Sequence, residues 1–526
     1  MNHEHLILME PVRLALQGIA DRMQSRMMRA AYSSIAREGG DCAAAVFLPD
    51  GRLLAQARSL PLLLGSLIPA VAGLLQRCPV EAMADGDAWL MNDPWSGGTH
   101  LPDLIVVRPV FGGGAVIALA AAILHHQDVG GVAAGSIPPD ATEIYQEGLR
   151  IPPVRWRVAG APDPHIEALL TANSRTPGNL LGDLNAQWSA VSLGAEETAA
   201  LRARTGAAFE AVCEALLAQS ERLTREALRA APDGEWHWQD QLDGDGISDT
   251  PVRIAVALRK RGDTLHIDFT GSSPQTRGPV NASPSSMVSA ILFFMRSLAP
   301  QAPNNAGCLA PASWVLPEGS VVNPRLPAAV NARTATLKLA CNALLGAWSS
   351  GAAREPMAAN AGVATVLSLG GARADGQRWL FTEIIASGAG ASARGHGTSG
   401  VSTDVGNARN TPLEVIESEA PVRVHCYAIR EGSGGAGRFC GGHGVRRVYE
   451  LLEGHGSVSY RGERHVSRAR GSEGGGDGAP SAARIERTDG RVDVLPARAR
   501  VDWSAGDRLV IETAGGGAWG EAMPRQ

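Results

Sequence analysis

Aromatic side chains are scarce in this sequence, at 5% of 526 residues, and its seven cysteines include no CxxC pair. Thiols this scattered (Cys42, Cys78, Cys213, Cys308, Cys341, Cys426, Cys440) read as free, buried cysteines of a reducing compartment. The formal net charge is only -5, and no long basic stripe is present. Binding of nucleic acid through counterion release is thereby excluded. No run approaches the roughly 18 apolar residues of a membrane-spanning helix. The N-terminal "MNHEHLILMEPV" has too short an apolar core for a signal peptide, so a cytoplasmic protein without membrane attachment is expected. What the chain does have is glycine (62) and proline (32), with 44% apolar and 19% charged residues. That is the balance of a globular protein rich in turns, long enough for two to four domains.

Hydrophobic periodicity divides the chain into three parts. In residues 10–36, Val12, Leu16, Ile19, Met23, Met27 and Ala30 recur at spacings of three and four, predicting an amphipathic helix whose methionine stripe is core. "CAAAVFLPDGRLLAQ" is a hairpin, "GSLIPAVAGLL" a helix, and residues 195–232 a long helical stretch closing at a Pro-Asp-Gly turn. From Trp236 the period changes to two, with a hairpin turning at Arg261-Gly262-Asp263, followed by the apolar helices "SMVSAILFFMRSL" and "TATLKLACNALLGAWSS". After about residue 365 short strands alternate with glycine-rich turns. The expected class is α+β and multi-domain. A helical and hairpin N-terminal part spans 1–234, a central part 235–364, and a β-rich part 365–526.

The stretch "MNDPWSGGTHLPDL" is unusual for a loop, because it sets His100 and Asp103 immediately before a strand. "LIVVRPVF", Gly112-Gly113-Gly114 and "AVIALAAAIL" form strand, turn and returning strand, ending in His125-His126-Gln127-Asp128. An antiparallel hairpin centred near Gly113 puts Asp103 opposite about Ile123 and His100 opposite about His126. Its open end then gathers His100, Asp103, His125, His126 and Asp128. Side chains alternate across a strand, so His125 shares a face with Asp103, and His126 points away. A register slip of one residue would hand that place to His126. Two imidazoles and a carboxylate leave positions open on a divalent ion, as catalysis requires, and Zn²⁺, Mn²⁺ and Fe²⁺ all suit the set. Asn92 and Asp93 are expected to shape the glycine-rich approach.

The blocks "NDPWSGGTHLPDLIVVRPVF", "HHQDVGG", "GSIPPDATEIYQEGLRIPPV", "GNLLGDLNAQ", "DFTGSSPQTRGPVNAS", "NARNTPLEVIESEAPVRV" and "GDRLVIETAGGGAWG" occur in one order. Together they resemble the hydantoinase B/5-oxoprolinase family, which includes catalytic subunits of acetone and acetophenone carboxylases. The resemblance implies a metal held by His100, Asp103 and His125. It also implies a hydantoinase A-type partner that binds ATP, since this chain has no GxxxxGK[ST] and no complete hydantoinase A region. The expected assembly is a hetero-oligomer built on a dimer, acting on a small molecule. The activity implied is ATP-dependent hydrolysis of a cyclic amide. The alternatives are an ATP-dependent ketone carboxylase subunit and a non-catalytic assembly subunit. Residues 390–412 are shorter than the family pattern, and the resemblance places them against substrate.

Further side chains are candidates around that centre. Glu143 and Glu147 lie close after the HHxD segment, and with Asp128 they are the expected acid–base groups. His126 and Asp128 are placed to orient a ligand imidazole. Arg325, Arg333 and Arg409 are the expected clamps for a carboxylate or phosphate on the substrate. The glycine clusters after residue 432 read as β-turns, since no helix pattern follows them. Cys308 reads as a buried thiol.

Overall fold

The structure is a computed structural model that describes residues 3–353 and 355–522. Its centre is a seven-stranded antiparallel sheet. The strands are β1 (Cys42–Phe47), β2 (Leu53–Gln56), β3 (Ala88–Met91), β4 (Asp103–Gly112), β5 (Ala115–His125), β6 (Val154–Val158) and β7 (Ala161–Pro162). Their order is β2-β1-β5-β4-β3-β6-β7, with the β4–β5 hairpin in the middle. β4 and β5 are buried on both sides, which explains their nearly continuous apolar composition.

Each face of this sheet has its own helices. The even-numbered residues Leu104, Val106, Ala120, Ala122 and Leu124 pack toward α1 (His3–Ala30) and two later helices. Val12, Leu16, Ile19, Met23 and Met27 of α1 are buried there, each contributing about 2 kcal/mol of transfer free energy. The methionine stripe is core, as its spacing predicts. α1 ends at Ala30, earlier than the periodicity suggests, and residues Ser34–Arg37 make a separate turn, α2. The odd-numbered residues Ile105, Val107, Ala121 and Ile123 face a second core. That core includes α3 (Pro61–Arg77) and two helices from beyond residue 283.

Residues 195–232 do not form one helix. α4 (Pro164–Ala172) precedes α5 (Pro177–Thr205), which stops at Gly206, and α6 (Phe209–Arg229) follows. Gly206 adopts φ 63°, a conformation that interrupts a right-handed helix and that glycine tolerates. Next comes a four-stranded sheet of β8 (Gly234–Leu242), β9 (Val252–Arg261), β10 (Thr264–Asp268) and β11 (Ala312–Val315). The hairpin at Gly262 forms where its sequence predicts. α7 (Pro284–Leu298) begins at an N-cap, Ser283, whose hydroxyl accepts from the Ser286 amide. α3 lies on the first sheet, α7 packs on α3, and α8 (Arg333–Ser349) packs on α7 and on β8 and β9 of this second sheet, so one core runs from Ala43 to Val405.

The C-terminal part is α+β with strand dominant, as expected. One sheet orders β13 (Arg378–Ile385), β12 (Thr365–Ala372), β16 (His455–Arg461) and β19 (Arg498–Ser504). The other runs β14 (Val422–Ile429), β15 (Val445–Leu451), β20 (Arg508–Glu512), β17 (Ala482–Glu486) and β18 (Val492–Leu495), with α9 (Leu413–Glu419) preceding β14. The glycine clusters do more than turn the chain. Segments near 388–398, 433–444, 470–478 and 513–520 lie against one another and exchange backbone hydrogen bonds, such as Gly442 N to Ala389 O and Gly516 N to Gly442 O. A Cβ on Gly441 would stand 1.9 Å from Gly516 O, and one on Gly516 would stand 2.0 Å from Ala389 O. Proximity, not dihedral angle, requires glycine here, much as at the axis of collagen. All seven cysteines are free; four are buried, Cys78 and Cys426 are half-buried, and Cys440 is exposed, a partial departure from the expectation of buried thiols.

Gly516→Ala should therefore destabilise the protein by about 2–4 kcal/mol in denaturant unfolding, because backbone must move. Gly376→Ala, at φ 87° with no atom within 4 Å, should cost about 1 kcal/mol, from dihedral strain alone. Equal costs for the two would show that contact is not what selects glycine in the cluster.

Candidate metal centre

The hairpin brings the predicted trio together, though not by the expected pairing. Asp103 lies opposite His125, and Ile105 opposite Ile123. The turn uses only Gly113 and Gly114, at φ 64° and 85°, while Gly112 pairs with Ala115 inside the strands. A bulge between Val110 and Phe111 then moves the register further. The net displacement is two residues, and an even shift preserves which face each side chain occupies. Asp103 and His125 therefore share the face that looks toward α8, and His100 joins them from the turn before β4.

His126 goes to the opposite face. Its Nε2 donates to Gln187 Oε1 of α5 at 2.9 Å, and Gln187 Nε2 in turn bonds the Leu104 and Ala122 carbonyls across the hairpin. His126 thus ties the sheet to α5 and does not touch the trio's ligand atoms.

Three ligand atoms meet: His100 Nε2, His125 Nδ1 and Asp103 Oδ1, each 3.0 Å from the other two. All three residues are buried. Atoms that far apart match ligands about 2.1 Å from an ion on one face of an octahedron. The proton inventory supports the same reading. His100 Nδ1 donates to the Asn331 carbonyl at 3.2 Å, which leaves a lone pair on Nε2 facing a carboxylate oxygen. Burial, reinforced by Arg333, holds the His100 imidazole down to about 3, so it is neutral. Two acceptors at 3.0 Å repel unless a cation lies between them.

Asp103 is kept ionised and correctly turned. Burial alone would raise it, but the opposing charge of the buried Arg333 guanidinium helps to hold it well below the usual carboxylate range. Its Oδ2 accepts from Thr99 Oγ1 and Arg333 Nη2, leaving Oδ1 for the two imidazoles. Arg333 is the first residue of α8 and is wholly buried beside the trio. The sequence names it as a substrate clamp; the structure gives its Nη2 to Asp103.

The other predicted groups lie elsewhere. Asp128 is consumed by the backbone amides of Gly130, Gly135 and Arg175 and by the Arg175 guanidinium. Glu143 is an exposed cap of a short 3-10 turn, Ile144–Gln146. Arg325 is an exposed partner of Glu318. Arg409 is exposed, one residue beyond Ala408, which lines the cavity. Glu147 is buried, and its Oε1 accepts from the amides of Val330 and Asn331 and from Asn331 Nδ2. It acts on the centre through Asn331, whose carbonyl orients His100.

The cavity in front of the trio is also lined by Asp41, Lys338, Arg461 and apolar groups including Leu60, Leu62, Val366 and Val405. Asp41 immediately precedes β1 and accepts the His125 amide through its carbonyl at 3.0 Å; burial lifts its carboxyl to about 6. Arg461 Nη1 donates to Asn331 O and Oδ1, and burial pulls it to about 9. None of these three is prominent in sequence, because each sits in its own distant segment without a spaced partner.

The hydantoinase B/oxoprolinase family model matches residues 6–522. The chain belongs to the hydantoinase B/oxoprolinase family. The 5-oxoprolinase PfmaA of Pestalotiopsis fici is 32% identical over 96% of this chain, which spans only 40% of that relative's length. Caprolactamase subunit beta of Pseudomonas jessenii is 30% identical, covering 100% of this chain and 92% of its own. The crystal structure of the ATP-dependent caprolactamase from that organism matches with TM-score 0.89 at 28% identity, covering 98% of this chain and 91% of the other. A nucleotide-free acetone carboxylase shares the fold, with TM-score 0.90 at 18% identity over 99% of this chain and 76% of its own. Among the described residues no helix is long and apolar enough to cross a membrane.

Burial raises Glu147 to about 7. The native state retains its proton to higher pH than the unfolded chain, so stability from this group is complete below about pH 4 and is lost as pH rises to about 7. Glu147→Gln keeps the accepting oxygen and removes that loss. In urea unfolding it should exceed the parent's stability by on the order of 2 kcal/mol at pH 8 and match it near pH 4. Parallel profiles for the two proteins would show that Glu147 titrates normally.

Proposed function

We propose that this chain is the metal-containing catalytic subunit of an ATP-dependent cyclic amide hydrolase of hydantoinase/oxoprolinase type. Its partner would be a hydantoinase A-type subunit that binds ATP. The observation that carries this reading is the neutral His100 Nε2, fixed as a lone-pair donor by Asn331 and directed at Asp103 Oδ1 and His125 Nδ1. That donor set suits one divalent ion, Zn²⁺, Mn²⁺ or Fe²⁺, held by His100, Asp103 and His125. Such an ion supplies Lewis acidity toward a substrate oxygen or a water molecule.

The chain's own residues do the remaining work. Arg333 and Thr99 hold Asp103 Oδ2 and keep Oδ1 turned to the imidazoles. Asn331, itself braced by Glu147 and Arg461, keeps His100 in one tautomer. Leu60, Leu62, Val366 and Val405 add apolar surface to the cavity lining, which lowers its polarity and strengthens charge interactions within it. A relative named as a subunit beta, and a longer 5-oxoprolinase of which this chain spans two fifths, support a division of labour between this chain and a further polypeptide region.

The test begins with metal analysis of purified protein. About one divalent ion per chain is expected, and His100→Ala should weaken its retention at least about tenfold, since even outer ligands contribute that much. Fewer than about one ion per two chains, unchanged by His100→Ala, would sink the metal reading. Co-purified with its partner, the protein should hydrolyse ATP when a cyclic amide is added, without bicarbonate. Turnover only with a ketone and bicarbonate would assign it to carboxylation instead.

A further inference from the structure

Lys338 is a buried amine: burial lowers its pKa, and the charge of Asp404 opposes that shift. Its side chain is wholly buried and lines the cavity in front of the trio. Its Nζ donates to one acceptor, the Thr403 carbonyl, at 2.6 Å. The nearest acid behind it, Asp404, is engaged by Asn360 Nδ2 and Thr403 Oγ1. Among the described residues no carboxylate forms an ion pair with Lys338. An ammonium has three donors, and burying one with a single neutral acceptor is costly.

The loop over Lys338 packs closely on it: Gly406 lines the same cavity, and a Cβ there would lie 2.3 Å from Ser402 Oγ, 2.9 Å from Thr403 O and 3.1 Å from Nζ, so only glycine fits above the amine. Arg333 and Arg461, two more buried cations, line the cavity beside Lys338; Arg333 is matched by Asp103, whereas Arg461 spends its Nη1 on neutral Asn331 oxygens. The cavity lining therefore combines three buried basic side chains with two acids, Asp103 and Asp41, and Lys338 keeps donors that no acceptor among the described residues uses.

We propose that Lys338, beneath Gly406, is a specificity-determining residue that binds an anionic oxygen group of the substrate, so that the cavity takes an anion in preference to a neutral molecule. This rests on the cavity being the reaction site. The group is a carboxylate carried by the substrate or a phosphoryl group placed on it. Either offers the paired oxygen acceptors that the free Nζ donors lack.

The probes are inorganic phosphate and acetate, each compared with chloride at equal ionic strength by thermal unfolding and calorimetric titration of the full chain. One of the two anions should stabilise the protein beyond chloride. Lys338→Met should weaken that binding at least about tenfold while metal content stays at the parent level. Stabilisation by phosphate alone would identify the phosphoryl source, and by acetate alone the carboxylate source. Equal anion affinity in Lys338→Met, or no stabilisation of the parent protein beyond chloride, would overturn the proposal. Lys338→Gln serves if the methionine variant fails to fold. A protein that holds no metal but shows Lys338-dependent anion binding would refute the metal reading alone.

Discussion

The site depends on one buried ion pair, Asp103 with Arg333. Both side chains are almost fully removed from water, a transfer that costs several kcal/mol per ion and is offset only by close, well-oriented pairing. The pair satisfies that condition by joining the start of β4 to the first residue of α8, with Thr99 completing the contacts of Oδ2. Geometry follows from this. With Oδ2 occupied, the carboxylate cannot rotate to share both oxygens with the imidazoles, so Oδ1 alone meets His100 and His125. Position follows too, because anchoring Arg333 anchors the helix that carries Lys338 into the same cavity five residues on.

Much of this was legible from period and parity. The alternation of β4 and β5 separates His125 from His126 whatever the exact pairing, provided the error in register is even. The bulge at Val110 and Phe111, and a turn of two glycines where three suggest themselves, together displaced the pairing by two residues. Neither device has a strong sequence signature, yet their sum left the face assignment intact. A single one of them would have exchanged the histidines, and Gln187 would then face a different ring.

What the sequence could not show are the contacts between segments hundreds of residues apart. Asn331, Arg461 and Lys338 have no spacing relation to His100, and they meet it only because the start of α8 reaches Asp103 and the end of β16 reaches Asn331. The acids after the hairpin illustrate the converse error. Proximity along the chain made Glu143, Glu147 and Asp128 attractive, but backbone amides claim Asp128 and Glu147 first. Loops at the mouth of a buried site contain many amides that need acceptors, and short carboxylates nearby are their natural partners. Sequence distance is a weak guide there.

The C-terminal part completes the cavity as well as covering it. Val366, Thr382, the residues near Gly406 and Arg461 contribute to the cavity lining from the C-terminal part, and the trio, Asp41, Leu60, Leu62 and Leu63 contribute from the N-terminal part. The amide of Leu62, at the start of α3, bonds the Val405 carbonyl directly across this junction. The 389–398 segment, which turns tightly between Ser392 and Gly395, is held by the glycine cluster, where backbone meets backbone with no side chain between. Such contacts have little freedom to adjust, since moving one segment opens hydrogen bonds in several others. The Gly400 amide bonds the His443 carbonyl and the Val401 amide bonds the Ser387 carbonyl, which ties the start of the loop that carries Thr403 and Gly406 to this cluster.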